Sequence, residues 1–185
     1  MKYLQATMSD LAGVKALLAK YHRDTIAPAE LPNGFVTTKL SDEQFEELIV
    51  REDGITLAKD GEQIAAFAFA AGWNFWLDVP IMKRMTEVLG GMPFEGRTLT
   101  LEDTYQYGPV CVDGAYRGSG VFEGIFGASL ARFKDRYPFM VTFINQINPR
   151  SYAAHTRKAG MTEIGKFDFN GNHYWMMAIR TGRES

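Results

Sequence analysis

Cysteine is almost missing from this sequence. Cys111 stands alone among 185 residues, which excludes an internal disulfide framework and a Cys cluster for a structural metal. Histidine is nearly as scarce: His22, His155 and His173 lie far apart, with no H-x-x-x-H pair to clasp zinc, so no metal is expected. Charge of one sign is lacking too. The formal net charge is −2 and the Lys and Arg residues are scattered, which gives no nucleic-acid footprint. The opening MKYLQATMSD has no signal-peptide-like apolar stretch, and no run approaches membrane-spanning length. These absences set the expectation of a cytoplasmic protein whose partners include neither nucleic acid nor membrane.

What is present is the composition of a soluble globular protein, 46% hydrophobic and 23% charged. The length suits one domain, residues 1–185, with a sizeable core and no repeat or low-complexity linker. Periodicity predicts a mixed order of elements. A strand over Tyr3–Thr7 is followed by a helix capped by Ser9, with Leu11, Val14, Leu17, Leu18 and Tyr21 at helical spacing. Thr25–Lys39 reads as a loop, and Ser41 with Gln44 as a capping box for a second helix. A hairpin follows, Ile55–Lys59 and Ile64–Ala71, whose second strand is apolar on both faces and so belongs inside a sheet.

In the segment 72–100, Trp73, Phe75 and Trp76 precede a helical stretch around Ile81–Leu89 that ends at Gly90-Gly91. Then come a strand (Thr104–Val112), a loop, a helix through Val121, Ile125, Phe126, Leu130 and Phe133, a buried-type strand (Phe139–Ile144) and a short helix (Pro149–Ala159). Two strands, Thr162–Phe169 and Tyr174–Arg180, close the chain around Asn170-Gly171-Asn172. This order argues for one α/β domain with a mixed sheet.

The stretch Gly108–Gly120, GPVCVDGAYRGSG, carries the chemistry. Pro109 cannot donate a ladder hydrogen bond and Gly108 weakens regular pairing, so the strand should be bulged or splayed there. Main-chain groups of Val110–Val112 freed in this way suit an extended ligand carrying amides. Gly118 and Gly120 admit backbone conformations closed to other residues and let an anion come close. The loop enters a helix, whose N–H groups and dipole converge on that anion, and Arg117 adds a permanent charge with a planar donor fork. All of these point to a diphosphate.

The plain alternative is a tight strand-to-helix turn. A P-loop is excluded, since no Gly-Lys-Ser/Thr follows. A dinucleotide fingerprint fits loosely: Gly118, Gly120 and Gly124 have one intervening residue too many, and Asn145-Gln146 stand where an acidic residue is wanted.

Val110-Cys111-Val112 followed by Arg117-Gly118-Ser119-Gly120-Val121-Phe122 resembles the phosphate loop of the GNAT superfamily of acetyl-CoA-dependent N-acetyltransferases, Gln/Arg-x-x-Gly-x-Gly/Ala after a Val-x-Val strand end. Phe122 departs from the pattern at its last position. Asn148, Ser151, His155 and Gly160-Met161 are similar to a second signature of that family, with one residue more between His155 and Gly160. The element order agrees along nearly the whole chain, and only the segment Gly72–Thr100 has no counterpart in the minimal family fold.

The resemblance implies a GNAT-like α/β fold: a mixed, mostly antiparallel central sheet with a splayed strand pair, flanked by helices. It implies transfer of an acetyl group from acetyl-CoA to a primary amine of a small molecule or protein. Cofactor-binding residues would be Val110, Cys111, Val112, Arg117, Gly118, Ser119, Gly120, Val121, Asn148 and Ser151, with Cys111 a small buried residue and not a nucleophile. For the acid, His155 and Tyr152 are the candidates, against the alternatives of a structural histidine and a packing tyrosine. The family often has a carboxylate shortly before Val-x-Val. Here Tyr105 and Tyr107 stand there, Tyr107 being the catalytic candidate, with Glu102 able to act only through water. Trp73, Phe75 and Trp76 would wall the acceptor site, or pack the extra helix or a second copy of the chain. A non-catalytic acetyl-CoA-binding or sensing module of the same fold, and a dinucleotide-binding protein, remain as alternative functions.

Overall fold

A computed structural model describes residues 1–182. It contains a mixed α/β architecture with a seven-stranded, mostly antiparallel sheet in the order β1-β2-β3-β6-β7-β9-β8. The strands are β1 (Lys2–Gln5), β2 (Ile55–Asp60), β3 (Gln63–Ala71), β6 (Thr104–Val112), β7 (Phe139–Asn145), β8 (Thr162–Phe169) and β9 (Asn172–Arg180), with a separate pair β4 (Pro93–Phe94) and β5 (Arg97–Thr98). The helices are α1 (Leu11–Lys20), α2 (Asp42–Val50), α3 (Trp73–Trp76), α4 (Pro80–Leu89), α5 (Val121–Phe133) and α6 (Pro149–Ala153). Two compact units divide the chain: Met1–Ala70 with Gly108–Ser129, and Ala71–Tyr107 with Leu130–Ser185.

In the first unit, β2 pairs antiparallel with both β1 and β3. Strand β3 is buried from Ala65 onward, as expected of an interior strand. The strand β1 is shorter than predicted because Thr7 leaves it to cap a turn. Thr7, not Ser9, forms a capping box with Asp10 over a 3-10 turn that runs into α1. Ser41 and Gln44 make the predicted reciprocal box: Gln44 N–H donates to Ser41 Oγ (3.2 Å), and Ser41 N–H donates to Gln44 Oε1 (2.9 Å). Buried Val14 and Leu17 of α1 and Phe45, Leu48 and Ile49 of α2 supply the helical part of the core. The Phe45 ring meets Phe69 of β3 edge-on at 6.0 Å.

In the second unit, β7 pairs antiparallel with β9 along its whole length, and β9 with β8. Asn170 (φ 48) and Gly171 (φ 75) form a two-residue turn with both φ values positive, so β9 begins at Asn172, two residues before the predicted Tyr174. The same turn chemistry recurs at Glu95 (φ 48) and Gly96 (φ 74), joining β4 to β5 inside the segment that the sequence left without strands. Phe94 and Leu99 from this small hairpin enter one core with Met85 and Leu89 of α4, Phe139 of β7 and Met176 of β9. Trp73 belongs to that core as well, and Phe75 and Trp76 are buried. The aromatic cluster is therefore packing, one of the two readings that the sequence offered, and not an acceptor wall.

Candidate functional site

The parallel ladder between β6 and β7 has three rungs among the described residues: Thr104–Phe139, Tyr105–Met140 and Gln106–Val141. It ends where the sequence places Gly108 (φ 113) and Pro109, and Pro109 has no N–H to continue it. Beyond it, Pro109, Val110 and Val112 are half-buried, while Cys111 is buried and desolvation pushes its thiol up to about 12. Cys111 is thus an inert core residue.

The first unit builds the loop after β6. Asp113 N–H bonds the Ala65 carbonyl at 2.9 Å, and the Asp113 carboxylate accepts from Ala115 N–H (3.0 Å) and from Lys20 Nζ (2.7 Å). Burial alone would raise the Asp113 pKa. The bonds from Lys20 and Ala115 outweigh it and hold this carboxyl below its ordinary value. Gly114 N–H donates to Tyr21 Oη at 2.6 Å. Arg117 lays its guanidinium 4.9 Å from the centre of the Tyr21 ring and bonds the Val112 carbonyl through Nε at 3.2 Å. Asp113 and Tyr21 were not singled out in the sequence. An Asp before a glycine turn is a readable signal. The part played by Tyr21, 93 residues away, is not.

Gly118 (φ 80) and Gly120 (φ 83) both take the left-handed conformation that favours glycine, and a Cβ at either position would meet nothing within 4 Å. Ser119 N–H turns inward to the Tyr116 carbonyl at 3.3 Å, so this amide serves the loop itself. Among the described residues no hydrogen bond reaches the N–H groups of Gly118, Gly120 or Val121. These open amides lead directly into α5, a helix of 13 residues whose dipole adds partial positive charge at this end. Open amides at a helix start are suited to an anion, and Arg117 is the cation at hand.

A groove of about 450 Å³ in this unit is lined by Asp10, Gly13, Lys59 and Ile64 together with Asp113 of the loop just described and its partner Lys20. The ion pairs Lys59–Asp10 and Lys20–Asp113 already neutralise one another within it.

The second unit carries the other candidates. Asn148 caps α6, accepting Ser151 N–H at 3.1 Å. Five residues after α6, Ala154–Lys158, form a π turn closed by Ala159 N–H on the Ala154 carbonyl. Such a turn absorbs one extra residue, which accounts for the long interval between His155 and Gly160. The His155 side chain is 3% exposed, and its Nδ1 lies 2.8 Å from the Ser151 carbonyl. A carbonyl only accepts, so Nδ1 carries the proton. Burial, partly offset by that bond, pushes the imidazole down to about 4, and His155 is neutral at ordinary pH.

Tyr107 is fully buried, its ring edge-on to His155 at 6.1 Å between centroids, and desolvation raises its phenol far above the ordinary value. Tyr152 is half-buried against Trp175 (4.2 Å) and donates to Glu163 Oε2 at 2.8 Å. That bond, then burial and the carboxylate charge, raises its pKa and keeps it protonated.

No protein-family model and no curated protein matches the sequence. Solved structures match it in shape. The ribosomal-protein-S18-alanine N-acetyltransferase of Escherichia coli is similar, with a TM-score of 0.61 and 10% identity over 100% of this chain and 96% of that one. The yncA protein of Salmonella typhimurium, solved with acetyl-CoA as its cofactor, gives 0.60 and 14% over 100% and 95%. A protein assigned to the GNAT family from Desulfovibrio desulfuricans gives 0.60 and 14% over 98% and 99%. At such identities the likeness is one of fold, and it extends over the whole chain. The chain has the fold of the GNAT acetyltransferases.

Proposed function

We propose that the protein is an N-acetyltransferase that moves the acetyl group of acetyl-CoA to an amine. The observation that carries this reading is the loop after β6, with three amides open to an anion at the start of α5. Acetyl-CoA, when bound, supplies the acetyl group as a thioester. Gly118, Gly120 and Val121 N–H groups hold its diphosphate, with Arg117 as counter-charge. A main-chain N–H within Val110–Val112 polarises the thioester carbonyl. In the transfer a C–N bond forms and the C–S bond breaks; the amine gives up one proton and the departing thiolate takes one.

Of the two acid candidates, Tyr152 is the one we assign. It is protonated and half-buried, whereas His155 is buried; Tyr107, the candidate where the family often has a carboxylate, is sealed in the core. Asn148 and Ser151 act by fixing α6.

A second reading, an acetyl-CoA-binding module without turnover, is favoured by one observation: the buried Tyr105 and Tyr107 stand where a carboxylate base would.

Thermal shift with acetyl-CoA, NADH and ATP tests the reading. Acetyl-CoA at about 100 times its Kd should add roughly 2.7 kcal/mol of stability, and the other two should not. Thiol release on a panel of amines then separates turnover from binding alone. Gly120→Glu should fold and lose the acetyl-CoA shift, because it puts bulk and negative charge where phosphate belongs. Equal stabilisation by NADH, or full retention of the shift in the variant, would falsify the assignment.

A further inference from the structure

Tyr21 caps the C-terminal end of α1 and is half-buried. Its side chain meets the loop after β6 twice. The hydroxyl oxygen accepts Gly114 N–H at 2.6 Å, and the ring lies 4.9 Å from the guanidinium carbon of Arg117. One residue of α1 thus touches both the start of the turn Gly114–Tyr116 and the arginine that follows it.

Two contacts fix that guanidinium: the Tyr21 ring, whose electron-rich face attracts a cation, and the bond from Nε to the Val112 carbonyl at 3.2 Å. Neither uses the terminal Nη groups, and among the described residues no hydrogen bond or ion pair engages them. Asp113 is the one carboxylate between Val112 and Val121, and Lys20 Nζ already takes it at 2.7 Å. Lys20 and Tyr21, neighbours at the end of α1, therefore divide two tasks. The first occupies the acid of the loop; the second orients its arginine. The planar fork of Arg117 is left to give two parallel bonds to phosphate oxygens. Without the ring, a long side chain would have to be immobilised when the ligand arrived, at a cost in affinity.

We propose that Tyr21 is a positioning residue for acetyl-CoA, its ring holding Arg117 ready for the diphosphate before the ligand arrives. This rests on the acetyl-transfer reading and adds to it a residue outside both sequence motifs. The hydroxyl has the lesser part, because its bond to Gly114 N–H is exposed and water can replace the phenol there.

Calorimetry with acetyl-CoA on the whole chain tests this, with ligand-free melts to confirm folding. Tyr21→Leu should weaken binding about tenfold, as expected for one lost cation–π contact and one side chain left to immobilise. Tyr21→Phe keeps the ring and should stay within about threefold of the wild type. Arg117→Gln should weaken binding by about tenfold or more. Adding Tyr21→Leu to Arg117→Gln should then change the affinity by less than about twofold, since Tyr21 acts through Arg117. Should the Leu variant not fold, Tyr21→Gln is expected to weaken binding to the same extent.

Wild-type affinity in the Leu or Gln variant overturns the proposal. So does an equal loss in Tyr21→Phe, or a full further loss when Tyr21→Leu joins Arg117→Gln, which would mark Tyr21 as a structural residue only. A wild type that does not bind acetyl-CoA instead removes the underlying reading, and calorimetry detects that before any variant is made.

Discussion

His155 shows how burial decides what a side chain can do. Its type and place in the sequence suggest an acid, yet desolvation leaves it neutral, with an ordinary value of 6.5 lowered to about 4. The unfolded chain takes up a proton near pH 6.5, while the folded chain refuses it until about pH 4. Stability is therefore fully present above 6.5 and falls as pH drops towards 4, by about 3 kcal/mol for this group. Urea midpoints measured across that range should show the slope, and His155→Gln should flatten it. A slope of equal size in the variant would rule out His155 as its source. Tyr152 is the contrasting case, since its hydrogen bond to Glu163 keeps it protonated. Tyr152→Phe should lower kcat by about 10²-fold, the usual contribution of a positioned acid, without weakening acetyl-CoA binding. An unchanged kcat would remove Tyr152 from the chemistry.

At the level of elements, local signals were readable and long-range ones were not. The capping box at Ser41 and Gln44, both ends of β6 and the helical spacing of α5 follow from residues within a few positions of one another. The cap at Thr7 was missed because Ser9, two residues on, is an equally good capping type; Asp10 decides between them. The β4–β5 hairpin escaped notice because its strands are two residues each, too short for alternation to show. Close approach was equally hidden at Gly54, which joins α2 to β2. A Cβ there would lie 2.2 Å from the Ala70 carbonyl oxygen and 2.5 Å from Leu48 Cδ1. Gly54→Ala should therefore cost about 1–3 kcal/mol, the usual range for overpacking, seen as a lower Tm. An unchanged Tm would mean that the joint is looser than its geometry states.

Across the whole molecule, the family resemblance in two short motifs anticipated a fold that extends over all of the chain. It did not anticipate what fills the segment 72–100, because three aromatic residues in sequence look the same in a core as at a substrate entrance. Burial of Trp73, Phe75 and Trp76 settles that question in favour of the core. The single buried thiol makes packing measurable: Cys111 should resist labelling by a disulfide reagent at about pH 8, where a free thiol of pKa about 8.5 reacts readily. It should react fully once the chain is unfolded, and fast labelling of the native protein would show that β6 opens. The loop itself is best addressed atom by atom. In an amide NMR titration with acetyl-CoA, the backbone signals of Gly118, Gly120 and Val121 should move most, and Gly120→Glu should abolish the movement. Saturable binding that leaves those three amides still would contradict the account at its centre.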